Sequence, residues 1–431
     1  MWKKSIKYAL PLLVSLVFLV TLIPGCTKEA TTPATSPTAS KTVPPVTATE
    51  IVIGASRDIT GPQAGFQEFG FAPIYKTWID EINAAGGLDV GGKKLKIRLI
   101  EYDDASDTSV CVKNIEKLCT QDHVDFLFGP TGTAMLFAAA PIANKYHTIM
   151  IGGEGGATTL EPQLATMPYV FTVLNYSNHF QLPVFTDLLV EKGAKTVYIC
   201  FMNDLHGAEY NLAMQSECGL KGLQVVQAKS IPINITDMDP IVKEAKELNP
   251  DVFCMFAYPN QNILFMQTAM ALDFNPKCIL IGPGCNFEFF NLTFGAALED
   301  VCGEGAWNAK SSAAAAALAD KLIPIVGLPN MDWWGADVYQ ATLEYLQQAI
   351  EKAGTLDNDT ILDVYRTTHF QTVLGDMYWD IQGNGTGGGL LPQECYLGQI
   401  GQWQNGIFEV IDNDEHNTAP FIYPKPPWPE S

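Results

Sequence analysis

The stretch from Asp122 to Ala157, DHVDFLFGPTGTAMLFAAAPIANKYHTIMIGGEGGA, decides the fold. Val124 to Phe128 is a short apolar run stopped by Gly129-Pro130, the form of a strand buried on both faces. The spacing predicts a helix from about Thr133 to Tyr146, and a second apolar run, Thr148 to Gly152, follows it. A strand, a helix and a strand within about 30 residues make a βαβ unit, whose crossover sets the two strands parallel.

The same alternation continues outward in both directions. Toward the N-terminus, Phe71, Ile74, Tyr75, Trp78, Ile79 and Ile82 fall at helical spacing and Gly86-Gly87 supplies a stop, after which Leu95, Ile97 and Leu99 alternate as a strand. A further helix near Val110 to Cys119 leads into Val124 to Phe128. Toward the C-terminus a second series begins near Tyr169, with strands near Thr196 to Phe201, Leu223 to Ala228, Val252 to Ala257 and Cys278 to Ile281. Helices from about Ala336 to Ala353 and Asp359 to His369 come next, then strand-like, Gly-rich sequence from Gln371 to Val410. The pattern predicts an α/β protein with two doubly wound parallel sheets.

The first 26 residues are of another kind. Lys3, Lys4 and Lys7 precede an apolar run from Ala9 to Ile23, and Ile23-Pro24-Gly25-Cys26 resembles a bacterial lipobox with Cys26 as the lipidated residue. The run is too short and wrongly flanked for a membrane span. Thr27 to Thr49 is built almost wholly from Thr, Ala, Pro, Ser and Val, a composition that cannot bury a core and reads as a tether. An extracytoplasmic protein, lipid-anchored to a bacterial membrane, is expected, with a Pro-rich tail over 413–431.

The chain carries 26 basic and 47 acidic residues, a net charge of -21. Removing the three lysines of the signal leaves 23 against 47, or -24, which argues against nucleic acid as a partner. The roughly 380 residues beyond the tether exceed the usual limit of one core, about 250–300 residues, so two lobes are expected. Of ten cysteines, nine remain after Cys26, so at least one is free. Cys111 and Cys119 are separated by about 12 Å along one helix and cannot bridge. Cys200, Cys254 and Cys278 lie inside strands as small apolar residues, and Cys285 with Cys302, flanking a predicted helix, is the pair best placed for a disulfide. No CxxC pair, HExxH or GxSxG sequence is present, and the loop Gly152 to Ala157 has neither GxGxxG nor Walker order, so neither metal, nucleotide nor catalysis is expected, and no cofactor.

Several fragments together resemble the type I periplasmic solute-binding proteins of ABC transporters, the leucine/isoleucine/valine- and amide-binding group. They are Ile53-Gly54 with Thr60-Gly61-Pro62, Glu81 to Leu88 (EINAAGGL), Tyr102 to Asp107 (YDDASD) and Phe128 to Thr133 (FGPTGT). The resemblance implies two lobes joined by a three-crossover hinge, with 50–170 and 306–370 in the first lobe and 171–305 and 371–412 in the second. It implies capture of a small carboxylate, amide or amino-acid-like ligand, with aromatic ligands included, and delivery by a monomer to an ABC permease. A sensor for chemotaxis or signalling is the other use of the same fold.

Ligands of parallel sheets sit beyond the carboxyl ends of the strands. There the resemblance places Thr131 and Thr133, a hydroxyl and helix-start amides suited to a carboxylate, although Thr133 also reads as a helix cap. Gly155, Gly156 and Ala157 would present backbone groups, and His206 and Tyr258 rings. At Gly284 relatives commonly carry a Glu that pairs with an α-ammonium. Its loss means that Asp204, Glu154, Asp337 or another acid substitutes, or that the ligand is not an α-amino acid; the second is preferred. Trp307, Trp333 and Trp334 could line the cleft or staple the hinge, with core or hinge packing the expectation, and Asp337 is expected to favour the dipole of its helix rather than contact ligand.

Overall fold

The computed structural model describes residues 46–64, 70–155, 158–174, 177–412 and 415–429. The readings at Cys26, Gly156 and Ala157 lie outside these residues, as do the signal segment and most of the tether.

Chain order gives β1 (Glu50–Arg57), β2 (Leu88–Val90), β3 (Lys93–Asp103), β4 (Phe126–Phe128), β5 (Met150–Glu154) and β6 (Val170–Val173). A second run follows as β7 (Thr196–Met202), β8 (Gln224–Ile231), β9 (Val252–Phe256), β10 (Cys278–Ile281) and β11 (Cys302–Glu304). The last strands are a hairpin of β12 (Phe370–Thr372) and β13 (Gly375–Met377), then β14 (Asp380–Ile381), β15 (Gly389–Leu390), β16 (Ile400–Gln404) and β17 (Ile407–Val410).

Two main sheets result, ordered β14-β15-β6-β5-β4-β1-β3-β2 and β17-β16-β11-β10-β9-β7-β8. Most neighbours are parallel; antiparallel pairs close both edges of the first sheet, β14–β15 and β2–β3, and one end of the second, β11–β16 and β16–β17. The central strands are apolar on both faces, as in β9, where all five residues of VFCMF are buried. The order reverses at β1/β4 in the first sheet and at β7/β9 in the second, which opens a crevice at the carboxyl end of each. The chain crosses between the sheets three times, between β6 and β7, between β11 and β14, and between β15 and β16.

Helical spacing explains the layer over the first sheet. Phe71, Ala72, Ile74, Tyr75, Trp78 and Ile79 are the buried face of the helix Phe71–Ala84. That face packs against the helix Ala336–Ala353, and the Trp78 indole donates to Gln347 Oε1 at 3.3 Å. Each such side chain contributes about 1.5–3 kcal/mol on burial. The helix ends as its sequence predicts, with Gly87 N–H donating to the Ile82 carbonyl.

Two expectations are corrected. Residues 380–390, assigned with 371–412 to the second lobe, extend the first sheet, with Gly389 opposite Phe171 and Leu390 opposite Thr172. Close packing is the reason: a Cβ on Gly387 or Gly388 would stand 2.4 or 2.3 Å from the carbonyls of Leu164 and Val170, so only this glycine run can lie there. The disulfide expected between Cys285 and Cys302 is absent, and all nine described cysteines are free. Cys302 faces the core on one side of the second sheet, with its Sγ 3.9 Å from that of Cys278, whereas Cys285 packs in the core on the opposite side.

The Pro-rich segment is docked on the second sheet. Gln402 exchanges hydrogen bonds with the Ile422 backbone, Lys425 N–H donates to the Lys277 carbonyl, and the Trp428 indole donates to the Phe274 carbonyl.

Candidate functional site

Both crevices open on one cavity, which holds about 600 Å³ not occupied by protein, including solvent at its mouth. From the first sheet it takes Thr131, Gly132, Thr133 and Gly155, and from the second His206, Tyr210, Tyr258, Pro283 and Phe287. The crossovers add Leu174, Asp332, Trp334 and Tyr339. A second chamber shares Gln63, Gly132, Thr133, His206 and Tyr258, and continues to Ser106, Asp204 and Ile233.

Thr131 and Thr133 do different work. The Thr131 hydroxyl donates to Asp58 Oδ1 at 2.8 Å, which commits its proton. Burial raises the pKa of Asp58, opposed by the neighbouring Arg57 guanidinium, itself buried and donating to the Gly129 carbonyl at 2.8 Å. Thr133 opens the helix Thr133–Lys145, but Gly132 is the cap residue and no side chain caps the helix. The Thr133 hydroxyl therefore makes no hydrogen bond to the described residues, and the first-turn amides have no intrahelical acceptor. Free N–H groups and the positive end of the helix dipole attract an anion. Gly155 lies against this turn, where a Cβ would stand 3.1 Å from Thr133 Cα and 2.9 Å from Leu136 Cδ2.

In the opposite wall His206 stacks on Tyr258, ring centroids 5.5 Å apart, and leans on Tyr210 at 4.6 Å. Burial lowers the pKa of His206, and its Nε2 has no partner among the described residues. The Tyr258 hydroxyl donates to Asp204 Oδ2 at 2.6 Å, while Asp204 Oδ1 caps the helix Leu205–Lys221 through Gly207 N–H at 2.8 Å. Both Asp204 oxygens are thus engaged by the protein.

Gly284 stands behind the wall. Pro283 lines the cavity in its place, while Gly284 has φ of 115° and a Cβ there would meet Pro259 Cγ at 2.9 Å. A side chain is disfavoured by conformation and by contact. Gly284→Glu is expected to destabilise the fold by about 1 kcal/mol or more without adding affinity for an amine. Chemical denaturation and a leucine titration check this, and a stable variant that gains leucine affinity would refute it.

The residues missed by the sequence reading include Gln63, Leu174, Tyr210 and Phe287, and a group from the crossover 331–339. Trp334, expected in the hinge or core, lines the cavity, whereas Trp307 is fully buried and Trp333 is half-buried with its indole donating to Glu288 Oε2 at 2.7 Å. Asp337 is buried in the first turn of its helix, where burial raises its pKa well above the usual carboxylate range and its Oδ1 accepts from the Val338 N–H at 2.8 Å. Asp332, which no motif marked, is the acid of the main cavity wall. The one available signal was the density of Asp and Trp in MDWWGAD, 331–337.

Comparison with known proteins agrees with this geometry. A family model described as "Periplasmic binding protein" matches residues 50–404. Leu/Ile/Val-binding protein homolog 8 of Brucella abortus is 26% identical over 215 residues, 48% of this chain and 51% of that protein. The chain thus spans about half the length of the curated relatives it matches. Among solved structures, the branched-chain amino acid transporter substrate-binding protein LivJ of Streptococcus pneumoniae, in complex with isoleucine, superposes with a TM-score of 0.69 at 19% identity, covering 87% of this chain and 100% of that one. A solute-binding protein of an ABC transporter from Rhodopseudomonas palustris, in complex with 3,4-dihydroxybenzoic acid, gives 0.68 at 18%, covering 82% and 93%.

Proposed function

The chain belongs to the periplasmic binding protein family, a family of solute-binding proteins and not of enzymes, and on that premise we propose that it is a receptor that closes its two lobes on a small carboxylate-bearing ligand and hands it to an ABC importer. The observation that carries this reading is the convergence of five separately expected positions, Thr131, Thr133, Gly155, His206 and Tyr258, on one cavity between the two sheets. Isoleucine and 3,4-dihydroxybenzoic acid, bound by two similar structures, share a carboxylate, the group suited to the free amides and hydroxyl at Thr133.

The family places the protein outside the cytoplasm. Among the described residues no helix is long and apolar enough to cross a membrane. Lipidation of Cys26 and the tether behind it would hold the receptor at the membrane surface beside its permease.

A thermal-shift screen of the purified protein against amino acids, carboxylates and amides tests the reading. A ligand bound only by the folded state stabilises by about 2.7 kcal/mol at a hundredfold excess over its Kd, a clear rise in melting temperature. The best hit is expected to lose about tenfold in affinity in Thr133→Val, which keeps the shape and removes one hydrogen bond of about 1.5 kcal/mol to a charged group. A panel with no shift, in protein shown by mass spectrometry to carry no ligand, would sink the reading.

A further inference from the structure

Glu304 ends β11 behind the cavity wall, where it is 1% exposed, and neither of its carboxyl oxygens has a hydrogen-bond partner among the described residues. Its Oε1 lies against the end of β10, where a Cβ on Gly282 would stand 3.1 Å away. A carboxylate taken out of water and given no donor is among the costliest groups to bury. The protonated acid carries no charge and brings its own donor, so this setting selects that form.

The neighbours supply no charge to offset the burial. Tyr210 of the helix Leu205–Lys221, Cys254 of β9 and Cys285 just after β10 are the titratable groups that face Glu304, and burial raises the pKa of each, which keeps all three uncharged at neutral pH. Glu209 and His206 reach Tyr210 but do not act on Glu304, whose own pKa burial raises well above the carboxylate range. The Tyr210 hydroxyl donates to Gln181 Oε1 at 3.0 Å, which leaves its oxygen able to accept from an acid but not to donate to a carboxylate.

The position is one where the lobes are joined. Gln181 lies on the first crossover, between β6 and β7, and Glu304 opens the second. The third reaches the same place through the Gln399 carbonyl, which accepts from the Gly305 N–H at 2.7 Å. Tyr210, between Gln181 and Glu304, turns its ring into the cavity.

We propose that Glu304 is a proton-binding site at the junction of the three crossovers, filled at neutral pH and emptied at alkaline pH with loss of stability of that junction. A protein outside the cytoplasm meets the pH of its surroundings, and this site makes the wall that carries Tyr210 respond to it. With its pKa raised on folding, Glu304 stabilises fully below the unfolded value of about 4.3, and that contribution is lost as pH rises toward the folded value.

Infrared spectroscopy and urea denaturation of the purified protein and of Glu304→Gln test the proposal without any ligand. At neutral pH the unaltered protein is expected to show one protonated-carboxyl stretch that the variant lacks, while other buried acids contribute to both spectra and cancel. Between about pH 5 and pH 9 the unfolding constant of the unaltered protein should rise relative to that of the variant by up to about tenfold per pH unit, the effect of one proton. Absence of the band, as for a carboxylate neutralised by a bound cation, overturns the inference, and so does a stability difference that does not change with pH. Should Glu304→Gln not fold, Glu304→Met, uncharged and of similar length, serves the same two comparisons. Either failure leaves the receptor reading intact, because neither measurement depends on capture of a solute.

Discussion

Trp307→Ala is expected to destabilise the protein by about 3–5 kcal/mol, the range for removing a large aromatic side chain from a packed interior. Trp307 is 0% exposed and stands just after β11, where the chain leaves the second sheet. Its backbone N–H donates to the Trp333 carbonyl at 2.8 Å and its indole to the Asp332 carbonyl at 2.9 Å, while its ring packs on that of Trp333 at 5.3 Å. One side chain thus ties the second crossover to the segment that carries Asp332 and Trp334. Alanine leaves a cavity and an unpaired carbonyl together, two losses that do not compensate. Urea denaturation measures the first effect and ligand titration the second, and both should move. A variant with native stability would show that the segment is held by other contacts.

Gly305→Val should act on the same wall from the other side. A Cβ at this position would stand 1.5 Å from Trp334 Cδ1, and φ of 59° is a conformation that a β-branched residue avoids. The indole must leave its seat or the backbone must shift. Overpacking of this kind costs typically about 1–3 kcal/mol, to which the left-handed backbone adds. Trp334 lines the cavity, so ligand affinity should fall by at least tenfold along with the melting temperature. A Gly305→Val protein that binds its ligand normally would remove Trp334 from the recognition surface.

How much of this was legible beforehand depended on whether the signal was local. The helix Phe71–Ala84 and the helix Ala336–Ala353 carry one buried stripe each, so periodicity found them. The strands β9 and β10 are continuous apolar runs and were equally plain. Strands β14 and β15 are two residues each, and a Gly-rich stretch has no periodicity to say which sheet it joins. The disulfide expectation failed for a related reason: spacing along the chain does not tell which face of a sheet a side chain takes.

At the site the division is the same. Thr131, Thr133, His206 and Tyr258 could be named because each follows a strand that the pattern had already located, and strand ends are where a doubly wound sheet exposes its loops. The sequence by itself determined the α/β alternation and the two lobes, since both follow from local patterns of apolar residues and turns, and the family resemblance then picked out the residues at the strand ends. Only the tertiary structure decided that Thr131 is bound to Asp58, that Gly284 lies behind Pro283, and that Asp332 lines the cavity. Those outcomes depend on contacts between residues tens to hundreds of positions apart. The chain brings them together only when both sheets and their crossovers have packed, and no local propensity records that arrangement.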